Sequence, residues 1–180
     1  RNVYYLRLAN PILEHLCTNT LIQHVEITGS EAVGIEARAG YFESAGTFRD
    51  FVQSHLLEMM SLLTMSLNDR EDAVPGNRLE ALRAITLPTD RPIEETIIQG
   101  QYTASTGKDK ELKGYLDEEG VAHESHVNTY VALKLQSSMD RWKIVPFYLR
   151  TGKRLPKKET RISLQFFEPR SKEMGKNTSP

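Results

Sequence analysis

Residues 36–60 read E-A-R-A-G-Y-F-E-S-A-G-T-F-R-D-F-V-Q-S-H-L-L-E-M-M. Phe48, Phe51, Val52, Leu56, Met59, Leu62 and Leu63 recur at steps of three and four residues. That spacing predicts an amphipathic helix from about Thr47 to Ser66, with one apolar stripe turned to a core. His55 falls inside the stripe, between Val52 and Met59, so its imidazole is expected to face protein. It is there either a satisfied core residue or the floor of a cleft. Thr47, followed three residues later by Asp50, reads as a capping box at the helix start, with Gly46 just before it. On an α-helix, five residues separate Asp50 from His55 by about 140°. A ligand with several hydroxyls could reach both, one from the helix end and one from its first turns, whereas one metal ion could not.

Outward from that helix, strands dominate the later chain. Ile22–Thr28 alternates and is β-rich, and Val33–Ala37 either extends this strand or forms a neighbour. Ile97–Thr103, Val127–Leu135, Val145–Thr151 and Arg161–Phe167 read as further strands, with Val127–Leu135 the clearest. Residues 3–9 read as the end of a helix. Asn10 and Pro11 read as the cap and first residue of a second short one. Residues 68–76 read as a charged loop closed by Pro75 and Gly76, and Asn77–Ile85 as another helix. Residues 104–125, rich in glycine and charge, read as a solvated or partner-facing loop. Helices early and strands late predict an α+β fold: a mostly antiparallel sheet with helices packed on one face.

At 180 residues the chain suits one domain or a piece of a larger protein. A net charge of −1 gives no basis for a nucleic-acid or membrane-surface partner. Cys17, the one cysteine, has neither a disulfide mate nor a metal-ligand companion, which fits a reducing, cytoplasmic setting and no metal. No stretch is long and apolar enough to span a bilayer. Neither G-x-G-x-x-G nor G-x-x-x-x-G-K-[ST] occurs, so no nucleotide fingerprint is present. Because the chain opens at Arg1, without methionine and within an apolar helical pattern, its natural start is expected upstream.

A second chemical candidate lies between the last two strands. Arg150, Lys153, Arg154, Lys157, Lys158 and Arg161 stand there against Glu159 alone. Such a cluster is either a solvated basic hairpin or a phosphate receptor, since phosphate accepts several charge-assisted hydrogen bonds. Beside the carboxylates and imidazole of residues 36–55, it suits a sugar phosphate.

The strings V-G-I-E-A-R-A-G-Y-F-E-S-A-G-T-F-R-D-F-V-Q-S-H-L-L (33–57), G-Q-Y (100–102), G-Y-L-D-E-E-G-V (114–121) and R-W-K-I-V-P-F-Y-L-R-T-G-K-R-L (141–155) resemble the C-terminal domain of the glucose-6-phosphate dehydrogenase family. The likeness runs from about Tyr4 to Glu168. On that basis residues 1–170 form part of this substrate-binding and oligomerisation domain, followed by a polar tail at 171–180. The resemblance implies NADP-dependent oxidation of D-glucose 6-phosphate to 6-phospho-D-glucono-1,5-lactone, the first step of the pentose phosphate pathway. It implies His55 as general base, Glu36 and Asp50 as hydroxyl-binding carboxylates, and Lys153 and Lys158 as substrate-binding cations. An isolated antiparallel sheet with one uncovered face would leave an apolar patch, so copies are expected to pair through the late strands as a homodimer or homotetramer.

The family's N-terminal Rossmann domain, which mainly binds NADP, and its R-I-D-H-Y-L-G-K-E block do not occur in this sequence. The chain alone is therefore expected to be inactive. Arg150 matches an arginine that contacts a second, structural NADP in some eukaryotic members. That role is not carried over, because its partners beyond Arg161 diverge or are absent. Ala37 and Ala39 replace family glycines, and Cys17, Thr18 and Asn19 replace W-N-R. These departures leave room for a non-catalytic homologue or an isolated sheet module. A hexose-6-phosphate dehydrogenase of broader specificity would carry similar motifs.

Overall fold

The computed structural model describes residues 2–67, 71–106 and 111–168. Its helices are α1 (Asn2–Ala9), α2 (Pro11–Leu16), α3 (Ala39–Thr47), α4 (Leu57–Thr64) and α5 (Val74–Arg83). A nine-residue π-helical segment, Phe48–Leu56, joins α3 to α4. The strands are β1 (Ile22–Ser30), β2 (Ile85–Thr86), β3 (Ile97–Gly100), β4 (Ser105–Thr106), β5 (Glu111–Leu112), β6 (Tyr130–Ser137), β7 (Phe147–Gly152) and β8 (Glu159–Phe166). The main sheet runs β2-β6-β7-β1-β8, with β3 also paired to β6, while β4 and β5 form a separate ribbon. All pairings are antiparallel except β1 with β7, so the sheet is mixed and mostly antiparallel.

One face of the sheet is covered. Val25, Ile27, Val131, Leu133, Phe147 and Leu149 alternate inward along β1, β6 and β7. They meet Val52, Leu56, Met60 and Leu63 of the helical layer in one cluster. Burial of this apolar surface is the main favourable term holding the layers together. Trp142, fully buried, closes one end by donating its indole N–H to the Thr64 carbonyl at 3.2 Å. The opposite face of the sheet carries exposed Glu26, Tyr148 and Arg150 beside Lys134 and Ile98. It is therefore a mixed polar surface and not the apolar patch an uncovered sheet would present.

Several expectations are corrected. Residues 33–37 form no strand; the chain leaves β1 at Ser30 and enters a short 3-10 turn at Glu36–Arg38. Thr47 makes no capping box, because its hydroxyl donates instead to the Asn128 carbonyl at 2.8 Å. The helix break there comes from Gly46, whose backbone stands at φ 60° and ψ 172°. Asn10 likewise makes no side-chain cap, its amide donating to the Leu6 carbonyl. Pro75 opens α5 at its first turn, the position where a missing N–H costs nothing. Residues 104–106 and 111–125 are not simply solvated, since Tyr115 is fully buried against Ile35, Ala39 and Phe42. The polar tail at 171–180, residues 68–70 of the charged loop and Gly107 lie outside the described residues.

Candidate active site

β7 and β8 are not a hairpin. Each pairs with β1 from opposite sides, so their connection crosses the C-terminal end of β1. Gly152 lies opposite Ser30, and the next residue, Lys153, is thereby delivered to the strand end. Lys153 is buried, at 4% exposure, which an ammonium tolerates only with a partner. Its Nζ donates to Glu31 Oε2 at 2.5 Å, lies 3.8 Å from Asp50 Oδ2, and sits 5.1 Å from the centre of the Phe42 ring.

Asp50 comes from above, on the π-helical segment, which packs over β1 and β7. The Leu57 N–H donates to the Val52 carbonyl, five residues back. In such a turn, residues five apart stack roughly one above the other, as residues four apart do in an α-helix. The wider turn lowers the angle between Asp50 and His55 relative to an α-helix, yet the cavity that His55 opens on is lined by neither Asp50 nor Lys153. The buried stripe follows Val52, Leu56 and Met60, and His55 drops to its flank. His55 is exposed, contrary to the expectation that it would face protein. Its ring meets Phe51 edge-on, 4.8 Å between centroids. Phe51 in turn lies over Gly29, where an added Cβ would come within 2.2 Å of the Phe51 ring. His55 opens on a cavity of about 860 Å³ lined also by Val3, Cys17, Met59, Arg161 and Ile162. An exposed imidazole beside a roomy cleft can exchange a proton with a bound group.

The other candidates are dispersed. Glu36 is exposed and lines a separate depression with Lys113, Glu118 and Glu119. Its own backbone holds the left-handed conformation, φ 51°, while Ala37 and Ala39 have φ of −76° and −51°. The two alanines therefore bear none of the positive-φ strain that a lost glycine would have created. Lys158 is exposed in the β7–β8 connection. The basic run does not converge as one receptor. Arg154 pairs with Glu118 at 3.1 Å and Lys157 with Glu159 at 2.5 Å. Arg161 lies 3.7 Å from Glu159, and Arg150 points to the open sheet face. Sequence reasoning missed Glu31, because nothing in its local pattern announces that a lysine 122 residues away ends beside it. Among the described residues, no group of three or more metal-ligating side chains is assembled. No described helix is long and apolar enough to cross a membrane.

Residues 4–179 match the family model described as glucose-6-phosphate dehydrogenase, C-terminal domain. The glucose-6-phosphate 1-dehydrogenase of Bacillus subtilis is 40% identical over 170 residues, covering 92% of this chain and 34% of that protein. That of Rhizobium meliloti is 42% identical over 169 residues, again 92% of this chain and 34% of the relative. Among solved structures, a glucose-6-phosphate dehydrogenase in complex with its substrate glucose-6-phosphate superposes with a TM-score of 0.82 at 32% identity. It matches 93% of this chain and 34% of its own. The Mycobacterium avium glucose-6-phosphate 1-dehydrogenase superposes with a TM-score of 0.78 at 34% identity, over 92% of this chain and 34% of its own. The chain thus spans about a third of the length of these relatives. With the family model matched almost end to end, and a mixed sheet that superposes on solved members, the chain belongs to the glucose-6-phosphate dehydrogenase C-terminal domain family.

Proposed function

We propose that these residues hold and deprotonate the sugar in a glucose-6-phosphate dehydrogenase, an enzyme that oxidises D-glucose 6-phosphate to 6-phospho-D-glucono-1,5-lactone. The observation that carries this reading is the meeting of Asp50 and the buried Lys153 ammonium at the strand end, with His55 on the same π-helical segment. π-helical turns interrupt helices most often at functional positions. A lysine and two carboxylates there offer donors and acceptors to a polyhydroxylated anion.

In this reading His55 takes the proton of the anomeric hydroxyl as the carbon–oxygen double bond forms. Asp50 accepts from a neighbouring hydroxyl. Lys153 and Lys158 approach the anionic end of the substrate, and Glu36 contributes a further acceptor from its turn. The described residues contain no strand, glycine turn and helix that could cradle a dinucleotide. In this reading NADP is held mainly by a part of the protein outside these residues, and the chemistry it would supply is acceptance of the hydride. The 180-residue chain alone would then reduce no NADP. A steady-state assay of it with glucose 6-phosphate that showed reduction would refute this.

The polar open face of the sheet, with Tyr148 and Ile98 exposed, is the surface through which we expect copies to pair. A monomer by light scattering at high concentration would contradict that. The lone, buried Cys17 is consistent with a reducing cytoplasm. The negative φ of Ala37 and Ala39 removes a main argument for a non-catalytic homologue.

The direct test is His55→Ala in a full-length enzyme containing this chain. Removal of a general base lowers kcat by about 10²–10⁴-fold, with glucose 6-phosphate binding retained. Unchanged turnover would rule out the base.

A further inference from the structure

Two of the strings that mark the family, 100–102 and 114–121, supply none of the residues assigned above. They converge on one point. Glu118 Oε1 accepts from the Tyr102 hydroxyl at 2.9 Å and from Arg154 Nη2 at 3.1 Å. The Tyr102 oxygen also accepts the Ile35 N–H at 3.3 Å, and the Arg154 guanidinium lies 5.6 Å from the Tyr102 ring centre. All three side chains close around Gly34. A Cβ there would come within 2.8 Å of the Glu118 carboxylate, 2.9 Å of Arg154 Nε and 2.9 Å of the Tyr102 oxygen.

We propose that Glu118 is a positioning residue of the sugar-phosphate site, holding the turn that ends in Glu36 against the strand end that carries Lys153. This rests on the proposed function above. The turn is pinned along its length. Glu31 N–H donates to the Gly152 carbonyl, Leu155 N–H to that of Glu31, and Arg154 N–H to that of Val33, each at 3.0–3.1 Å. Its two borders, Glu36 and Arg154, are non-glycine residues in the left-handed region, at φ 51° and 57°. Such conformations persist only where the surroundings over-determine them. One carboxylate serves both borders, gripping Arg154 directly and Ile35, next to Glu36, through Tyr102. The Tyr115 N–H donates to the Tyr102 carbonyl at 3.0 Å, locking the Glu118 turn to the same tyrosine. The clamp thus fixes the direction of Glu36 and shares a backbone with Glu31, the partner of the Lys153 ammonium.

The test compares Glu118→Ala with Glu36→Ala and Lys153→Met in a full-length enzyme containing this chain. The readouts are kcat, KM for glucose 6-phosphate, KM for NADP and thermal unfolding. Glu118→Ala should raise KM for glucose 6-phosphate about tenfold, leave kcat within about threefold and leave KM for NADP unchanged, the signature of lost substrate binding. Combined with Glu36→Ala it should add almost nothing, because both changes act through one carboxylate. An unchanged KM for glucose 6-phosphate, a KM effect additive with Glu36→Ala, or a parallel loss in all three parameters would overturn the proposal. If Glu118→Ala does not fold, Tyr102→Phe, which removes a single hydroxyl, carries the same test with about a threefold KM effect. If Glu36→Ala and Lys153→Met themselves leave KM unchanged, the sugar-phosphate reading falls and the proposal with it. If only those two raise KM, the proposal alone is wrong.

Discussion

Two buried cations, Arg7 and Lys153, are almost equally hidden, at 3% and 4% exposure, yet they are paired in different ways. Arg7 makes four hydrogen bonds. Two go to the Glu14 carboxylate, one to the Leu62 carbonyl and one to that of Met65. Glu14 is gripped from its other side by Arg141, which also donates to the Cys17 carbonyl. This cluster ties α1, α2 and the end of α4 together, and Arg7 itself has little bonding capacity left for a ligand. Lys153 has three N–H donors, and among the described residues one is matched by a hydrogen bond, to Glu31; Asp50 at 3.8 Å is an ion-pair neighbour beyond hydrogen-bonding reach. Arg7 is saturated although it lines the cavity that His55 opens on, whereas Lys153 at the strand end keeps donors that the proposed reading assigns to the substrate.

The largest expected effect tests the framework side. Arg7→Met should destabilise the fold by about 3–5 kcal/mol, the usual result of removing one partner from a buried ion pair. Urea unfolding measures it, and a loss below 1 kcal/mol would show that the cluster is dispensable. Gly29→Ala acts on the site side. The new methyl would drive into Phe51, costing about 1–3 kcal/mol of overpacking strain. It should also displace the π-helical segment, so activity in a full-length enzyme should fall further than stability alone explains. Equal falls would mean that Phe51 packs without positioning Asp50 or His55.

Acid sharpens the comparison further. Burial works to raise the Glu14 pKa, but hydrogen bonds and charge from Arg7 and Arg141 outweigh it and leave the carboxyl below its ordinary value. A depressed folded value means that Glu14 contributes stability above the unfolded carboxylate range and loses it as pH falls through the folded value. Glu14→Gln should therefore flatten the loss of stability below about pH 5, where an unfolded glutamate begins to protonate. A pH profile unchanged by the substitution would contradict that assignment. Tyr102, pushed up to about 12 chiefly by burial and further by Glu118, stays a hydrogen-bond donor across this whole range. The Tyr102 hydroxyl should therefore keep its donor role at neutral pH.

Much of this was legible in advance. The alternation in Ile22–Thr28 and Val127–Leu135 announces strands, and the stripe through Val52, Leu56 and Leu63 announces the helix that covers them. The details that make the site were not. A π-helical turn has the same residue types as an α-helix, so the sequence could not disclose the wider turn that carries Asp50 and His55. The short connection after Thr151 looks like a hairpin turn, because sequence does not reveal that β1 is inserted between its two strands. The run of basic residues suggested one receptor, whereas each cation's partner is set by tertiary approach: Glu31 for Lys153, Glu118 for Arg154, Glu159 for Lys157. Thr47 had the residue type of a cap but found a carbonyl in the loop before β6 instead.

On the proposed reading the strand-end ammonium serves the substrate while the helix-end guanidinium serves the fold. Lys153→Met in a full-length enzyme containing this chain separates the two, since methionine keeps the volume and removes the charge. Direct titration with glucose 6-phosphate should show affinity weakened by about tenfold or more, the scale of one lost charge-assisted hydrogen bond, with the unfolding midpoint nearly unchanged. Unaltered affinity together with a collapse in stability would contradict the account, making Lys153 a second Arg7.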